Sequence, residues 1–494
     1  IEHTCFNFCY NLQSITLYDF HIDGKLDYLS YIDQILQLSK DKDKTSIKDE
    51  IKITSIFTDK NNNKYTVEEC SLNYIDIFDN THLYQQPTKE INEEENYIKN
   101  NEIIQIPFAV KKLNFPKIPH IKIIDWGINC NVENLGPEGF FSYYNLIEIT
   151  IPKTVTNLSS HLFEHCHYLK TVQIDENSKL TEIPSFCFAH TRIEKINLPK
   201  SIQILGESSF YDNQYLKEII YEGEIIKSNA FSLTGITEFE LSNNTTTIES
   251  NAFRYCHSLT KFEINIDNSK LKYIGTYAFS ETSIEEINIP NKITRIRKGT
   301  FNGCTSLKQV NISNKSQLTR IDRYSFSCNL TLKTINLPQN ISKISPKSFI
   351  NTPLLERIMN ESNQIYEVEE DYSIYKNKTE LIFVPRNIKE YQIKSTCKII
   401  SSGTFCGSTL TNIIFPDKSL EIIESDSFSH SSTISQINIP KTVTKLGESA
   451  FTGCTNLEQI EIDSESTLTN IPKFCFSFSG LKSITLPNSI KTIE

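Results

Sequence analysis

His161, His165, Cys166 and His167 crowd one short stretch of the chain. Imidazole nitrogen and thiolate are both zinc ligands, and the spacing is short enough to serve one ion. A structural zinc needs four ligands held inward, however. Cys166 and His167 also fall on positions that recur elsewhere with other residues: His167 aligns with His257, Thr305 and Thr455. Variable loop residues of a repeat are the simpler reading, so no metal ligand is assigned here. The thirteen cysteines raise the question of disulfides. Their number is odd. Cys9, Cys166, Cys256, Cys304 and Cys454 share one recurring position with Thr, Asn and Ser, while Cys5, Cys187 and Cys475 each precede a recurring Phe. Interchange with hydroxyl residues predicts single buried thiols, mostly reduced.

Other chemistry is hard to find. There is no P-loop, no dinucleotide fingerprint, no G-x-S-x-G and no Cys–His nucleophile pattern. No catalytic or cofactor-binding residue is assigned. The net charge of −10 and pI near 5.6 argue against a nucleic-acid partner. Arg295, Arg297, Lys298, Arg320, Arg323, Lys343 and Lys347 would stack into a basic stripe. Such a run could dock an acidic partner, but a solvated face is the commoner meaning. Asn157, Asn244, Asn311, Asn314, Asn340 and Asn377 are among the residues that begin N-x-S/T sequons. In a chain this rich in Asn, Ser and Thr they are weak support for secretion.

The element that positions all these residues is a repeat. Phe returns every 21 to 26 residues from Phe163 through Phe188, Phe210, Phe231, Phe253, Phe279, Phe301 and Phe326 to Phe349, then resumes at Phe405, Phe428, Phe451 and Phe476. Such a period means a solenoid. Each repeat opens with a Leu-x-x-Ile-x-Ile alternation, as at Leu307, Val310 and Ile312, which reads as a strand with one buried face. Pro often follows, as at Pro152, Pro199, Pro290, Pro338 and Pro440, and should end the strand in a turn. A return limb, such as Ile293 and Ile296, then leads to Phe in the middle of the coil. One coil cannot bury both its faces, so neighbours must stack on it, with parallel strands about 4.8 Å apart.

Two columns of residues follow from this register. Three residues after each Phe stands a small side chain with a hydrogen-bonding tip: Cys166, Thr191, Asn213, Thr234, Cys256, Thr282, Cys304, Asn329, Thr352, Ser408, Ser431, Cys454 and Ser479. Such tips can satisfy backbone groups that a tight turn leaves unpaired, so the column reads as a structural ladder. The outward strand positions form a candidate binding face. They are Thr171 and Gln173, Lys195 and Asn197, Glu238 and Glu240, Lys261 and Glu263, Glu286 and Asn288, Gln309 and Asn311, Thr334 and Asn336, then Gln436, Asn438, Gln459 and Glu461. The face is polar and nearly without aromatic anchors, so it predicts many weak contacts if it binds at all.

Stretches such as QINIPKTVTKLGESAFTGCTNL, with Gly206, Ala252, Ala278, Gly447 and Ala450 at the family's small-residue positions, resemble the BspA-like (Treponema pallidum-type) leucine-rich repeats. The resemblance covers most of 125–353 and 401–494. It implies a β-rich leucine-rich-repeat solenoid of parallel coils with little helix, here about fifteen coils. It also implies a non-enzymatic protein on the surface of bacteria or mucosal protists, adhering to host cells through protein, glycoprotein or matrix partners. An intracellular scaffold built from the same repeats, cytoskeleton-associated for example, is the alternative, and the cysteine reading favours it. An enzyme ranks third.

The organisation expected is a partial repeat at 1–17 and an inserted α+β island with an acidic linker at 18–100. A repeat array at 101–353, an irregular coil with a hairpin at 354–402, and a second array at 403–494 follow. Within the island, 24–39 reads as an amphipathic helix, and 47–57 with 65–72 as a hairpin. Tyr28, Tyr31, Tyr65, Tyr74, Phe78 and Tyr84 make the island the richer source of contact anchors. In the irregular coil, 372–375 and 381–384 read as strand, turn and strand. Because the first and last residues fall within repeats, further repeats are expected beyond both ends.

Overall fold

The computed structural model describes residues 123–126, 132–136, 140–143 and 145–494, and within 1–122 the backbone of six strands. It divides into two units, Ile1–Asn92 and Glu93–Glu494. In the first, Ser14–Leu17 pairs in parallel with Ile51–Thr58, which pairs antiparallel with Lys64–Leu72. The expected hairpin is there. The strand of the partial repeat joins it in one three-stranded sheet instead of standing apart. The helix expected at 24–39 lies outside the described residues, as do the island's aromatic side chains.

The second unit is a β-solenoid, and among the described residues it contains no helix. Each regular coil supplies a longer strand and a two-residue strand. Glu148–Ile151, Thr171–Ile174, Lys195–Asn197 and Glu218–Ile220 pair in parallel, in register, along one side. Glu182–Ile183, Ile204–Leu205, Ile225–Ile226, Thr247–Ile248 and Tyr273–Ile274 do the same along another. The alternation legible in the sequence becomes alternation of burial. In Glu148–Ile151 and Gln436–Ile439 the residues run exposed, buried, exposed, buried.

The turn after the strand has two forms, which account for the uneven period. Where Pro follows, its carbonyl accepts a hydrogen bond from the residue three on, as Val155 N to Pro152 O at 3.0 Å and Val443 N to Pro440 O at 3.0 Å. The longer coils have a polar insert instead. There a Ser hydroxyl accepts from a backbone N–H two residues on, as Leu180 N to Ser178 Oγ at 3.2 Å and Leu468 N to Ser466 Oγ at 3.1 Å.

The Phe column is a continuous stack of rings. Among the described residues it begins at Phe140, one coil before the first Phe of the sequence series, and successive ring centroids lie 4.9 to 5.7 Å apart as far as Phe349. Residues two before and two after each Phe have positive φ, for instance His161 at 61° and His165 at 61°, or Phe186 at 56° and His190 at 57°. That left-handed conformation costs an L-residue roughly 1–2 kcal/mol. Here it turns N–H groups toward the next coil: His165 N to Ala189 O is 3.0 Å and His190 N to Tyr211 O is 2.9 Å. The bend therefore carries its own coil-to-coil ladder, which offsets the strain.

The irregular coil is a joint between two cores. One apolar cluster runs from Ile124 to Phe383 and a second from Tyr375 to Cys475. Tyr366–Val368, Ile374–Lys376 and Glu380–Phe383 form an antiparallel meander, and the last of these continues in parallel with Ile399–Ile400. Asn377 and Lys378 both have positive φ, the mark of a type I′ turn. The Phe stack stops at Phe349, which meets Phe383 edge-on at 6.5 Å. Beyond it lies Arg386, 1% exposed. Its guanidinium donates to the carbonyls of Val384 (3.3 Å), Gly403 (3.0 Å), Phe349 (3.4 Å) and Thr404.

Candidate binding surfaces

The outward strand positions come together as the register requires. Thr171, Gln173, Lys195, Asn197, Glu238, Glu240, Lys261, Glu263, Glu286, Gln309 and Asn336 are exposed, and Asn288, Asn311 and Thr334 are half-buried. Parallel pairing puts like position beside like: Glu238 opposite Lys261, Glu240 opposite Glu263, Glu286 opposite Gln309 and Asn288 opposite Asn311. The side chains bond along the face. Asn311 Nδ2 donates to Asn288 Oδ1 at 2.8 Å, Lys261 Nζ lies 2.5 Å from Glu263 Oε1, and Lys195 pairs with Glu218. The hydrogen bond and charge of Glu263 hold the Lys261 ammonium above its ordinary value.

The face is not uniform. The strands Glu218–Ile220 and Glu238–Glu240 are not hydrogen-bonded to each other, and a trough opens at this break. Glu222, Glu240, Glu263 and Glu286 line it with one cation, Lys261, and Ile220 supplies exposed apolar surface above the buried Leu241 and Phe262. Ile220 is 54% exposed. The period-two pattern gave Glu240, Glu263 and Glu286 but missed Ile220, because an apolar residue on an outward position reads as noise in one copy of a repeat.

The column three residues after Phe is turned inward. Cys166 Sγ donates to Phe140 O at 3.0 Å, Cys256 to Phe231 O at 2.9 Å, Cys304 to Phe279 O at 3.0 Å and Cys454 to Phe428 O at 3.0 Å. Asn213, Asn329 and Ser431 likewise reach the Phe carbonyl one coil back, at 2.6, 3.1 and 2.6 Å. Thr191 and Thr282 bond the Phe carbonyl of their own coil, at 3.2 and 2.9 Å. Thr234 meets Cys256 Sγ at 3.2 Å. Cys, Asn, Ser and Thr thus all place a polar tip against a Phe carbonyl, whether of their own coil or of the one before, which is why they share the position. The nine described cysteines are free thiols. Burial pushes Cys256 up to about 11, and Cys304 and Cys454 up to about 12.

The basic stripe is largely engaged within the protein. Arg295 Nε and Arg320 Nε both bind the buried carboxylate of Asp322, at 2.5 and 2.8 Å. Arg297 lies 3.9 Å over the Tyr273 ring, and Lys347 reaches Asp426 at 2.5 Å.

The histidine loop is rearranged relative to the reading by spacing. Cys166 leaves it for the core. His190 and Asp212, from the next two coils, join it through the same offset from Phe that His165 has. The His165 and His190 rings stack at 4.5 Å, and His190 Nδ1 lies 3.0 Å from Asp212 Oδ2. His161 Nδ1 lies 2.6 Å from Glu164 Oε2. Burial alone would raise the Asp212 carboxyl, but hydrogen bonds from His190 and Gln214 outweigh it and hold the group below the usual carboxylate range.

A solenoid of stacked coils that offers long polar faces defines this chain as a solenoid repeat protein. It belongs to the BspA-type leucine-rich repeat family, whose profile matches residues 133–260, 224–356 and 379–494 with six copies. No curated protein matches the chain. Among solved structures it is similar to a leucine-rich repeat protein from Bacteroides ovatus, at 19% identity and a TM-score of 0.41 over 91% of this chain and 90% of that one. It is also similar to a leucine-rich cell surface protein from Faecalibacterium prausnitzii, at 20% identity and a TM-score of 0.37 over 80% and 87%. The pneumococcal vaccine antigen PcpA follows at 18% identity and a TM-score of 0.27, over 80% and 83%. Among the described residues no helix is long and apolar enough to cross a membrane.

Proposed function

We propose that the chain is a non-enzymatic binding protein that holds protein partners on the outer strand face, and that it does so at a cell surface. The single observation that carries this reading is the in-register polar face with the acidic trough at its break. Four carboxylates and one lysine beside the exposed Ile220 suit an extended basic segment of a partner protein. Family membership supports the same reading, since repeats of this kind present surfaces instead of closed pockets. Adhesion to host cells, glycoprotein or matrix is the finer form of the proposal. Nucleic acid, acidic like the face itself, is a poor fit.

A second reading is favoured by the nine free thiols, because a reducing compartment keeps cysteines in this state. In that case the same face serves an intracellular scaffold. Antibody staining of intact and of permeabilised source cells separates the two: label on intact cells supports the surface, and label only after permeabilisation supports the scaffold. The site itself is tested by replacing Glu238, Glu240, Lys261 and Glu263 with Ala together. Binding to cells or to the captured partner should fall at least tenfold, with the midpoint of unfolding unchanged. Undiminished binding would remove the face from consideration.

A further inference from the structure

We propose that Glu164, His165 and His190 form a site for one divalent transition-metal ion of the zinc class. One ligand atom from each lies within 4.8 Å of the other two. The site is built by the repeat itself. His165, His190 and Asp212 occupy the same left-handed position of three consecutive coils, with φ of 61°, 57° and 56°. The coil-to-coil hydrogen bonds at that position bring the two imidazoles into a stack at 4.5 Å. Coils set about 4.8 Å apart are close to the span of a small ion with its two ligands.

The groups behind two of the ligands, His190 and Glu164, leave the right atoms to the ion. Asp212 accepts from His190 Nδ1 at 3.0 Å, so Nε2 of that ring is the atom left for a metal. This is the carboxylate–histidine–metal arrangement that fixes a ring's tautomer and raises its basicity. Gln214 Nε2 donates to the other Asp212 oxygen at 3.0 Å, holding the carboxylate in place. His161 takes Oε2 of Glu164 at 2.6 Å, so Oε1, which faces His165 Nε2 at 3.9 Å, is the oxygen turned to the site. Glu164 is only 9% exposed. A carboxylate at that depth among imidazoles is a better ligand for a cation than for water.

The donor set names the metal class. Two imidazoles and one carboxylate suit Zn²⁺ and its first-row neighbours and disfavour Mg²⁺ and Ca²⁺, which take oxygen shells. Bonds of about 2.0–2.1 Å in a tetrahedron place ligand atoms roughly 3.4 Å apart. Closure from separations of up to 4.8 Å requires the three side chains to draw together. Three protein ligands leave a fourth position for water or for a group from a partner.

The test is titration of the metal-free chain with Zn²⁺ by calorimetry, and with Co²⁺ by visible absorption. The expected result is one saturable site of micromolar or tighter Kd, with tetrahedral Co²⁺ bands displaced by Zn²⁺. His165→Ala and His190→Ala should each weaken it by tenfold or more. Asp212→Asn should weaken it by about 10–100-fold. His257→Ala, on a distant coil, should leave it unchanged. These side chains are partly exposed, and thermal unfolding of each variant without metal checks that it is folded, so that lost binding is not lost structure. Absence of saturable binding, or binding retained by the His165→Ala/His190→Ala double variant, would overturn the proposal.

Discussion

The guanidinium of Arg386 donates to the carbonyl oxygen of Gly403 at 3.0 Å, inside the joint where one repeat array passes to the next. It also reaches carbonyls of Val384, Phe349 and Thr404. A whole coil's worth of Phe stacking is missing here, and four backbone carbonyls converge instead. One cation with five donors in a fixed fork meets that need. Burial lowers its pKa to about 10, so it stays charged at neutral pH.

Arg386→Met should therefore destabilise the chain by about 2–4 kcal/mol, as the carbonyls lose a charged donor in a dry site. Urea unfolding followed by the single Trp and by circular dichroism checks this. A change under about 0.5 kcal/mol would mean that the joint is held by its apolar contacts alone.

The ladder column has a pH signature. Cys256 remains a protonated thiol in the folded protein up to about pH 11, against 9.0 for an ordinary thiol. Between those values the unfolded chain has released a proton that the folded chain retains. The thiol's contribution is thus complete below pH 9 and is lost as pH rises toward 11. Cys256→Ser keeps a polar tip without titrating in this range. The stability difference between wild type and variant should be flat below about pH 8 and fall by about 1–2 kcal/mol by about pH 10.5. A difference that stays level would show the thiol to be accessible to base.

The same column predicts a graded response to chemistry at one site. Ser already serves this position at Ser431, 2.6 Å from Phe405 O. Cys454→Ser should cost less than about 1 kcal/mol, and Cys454→Val about 1 kcal/mol more, because Phe428 O then loses a donor at constant side-chain bulk. Equal stabilities would assign the column to packing only.

Phe253 sits between Phe231 at 5.1 Å and Phe279 at 5.4 Å and meets Phe239 and Phe262 edge-on. Phe253→Ala should cost about 3–5 kcal/mol and broaden the unfolding transition, since a solenoid transmits stability only from coil to coil. A sharp transition at the wild-type midpoint would contradict both points.

The meander at the joint contains removable strain. Lys378 has φ of 64° in the type I′ turn. Lys378→Gly should stabilise by about 0.5–1 kcal/mol, glycine adopting that φ without penalty. A loss of stability would indicate that the Lys378 side chain contributes more than its backbone costs.

The sequence by itself determined the solenoid. Phe at a period of 21 to 26, the Ile-x-Ile strand and the Pro stop are local patterns repeated many times, so each copy corrects the noise of the others. The inward column and the outward face were legible for the same reason: a period of two fixes which way a side chain points. Tertiary structure decided whatever depends on contact between coils or occurs only once. Arg386 has no repeat partner, and nothing local marks it as buried. Ile220 is one apolar residue on a polar column. His190 and Asp212 stand 25 and 47 positions after His165, and only stacking brings them beside it. The positive φ on either side of Phe was not read from residue type either, because it falls on His, Phe, Asn, Tyr and Lys alike. That conformation is set by hydrogen bonds to the next coil, and a single coil's sequence does not carry the geometry of its neighbour.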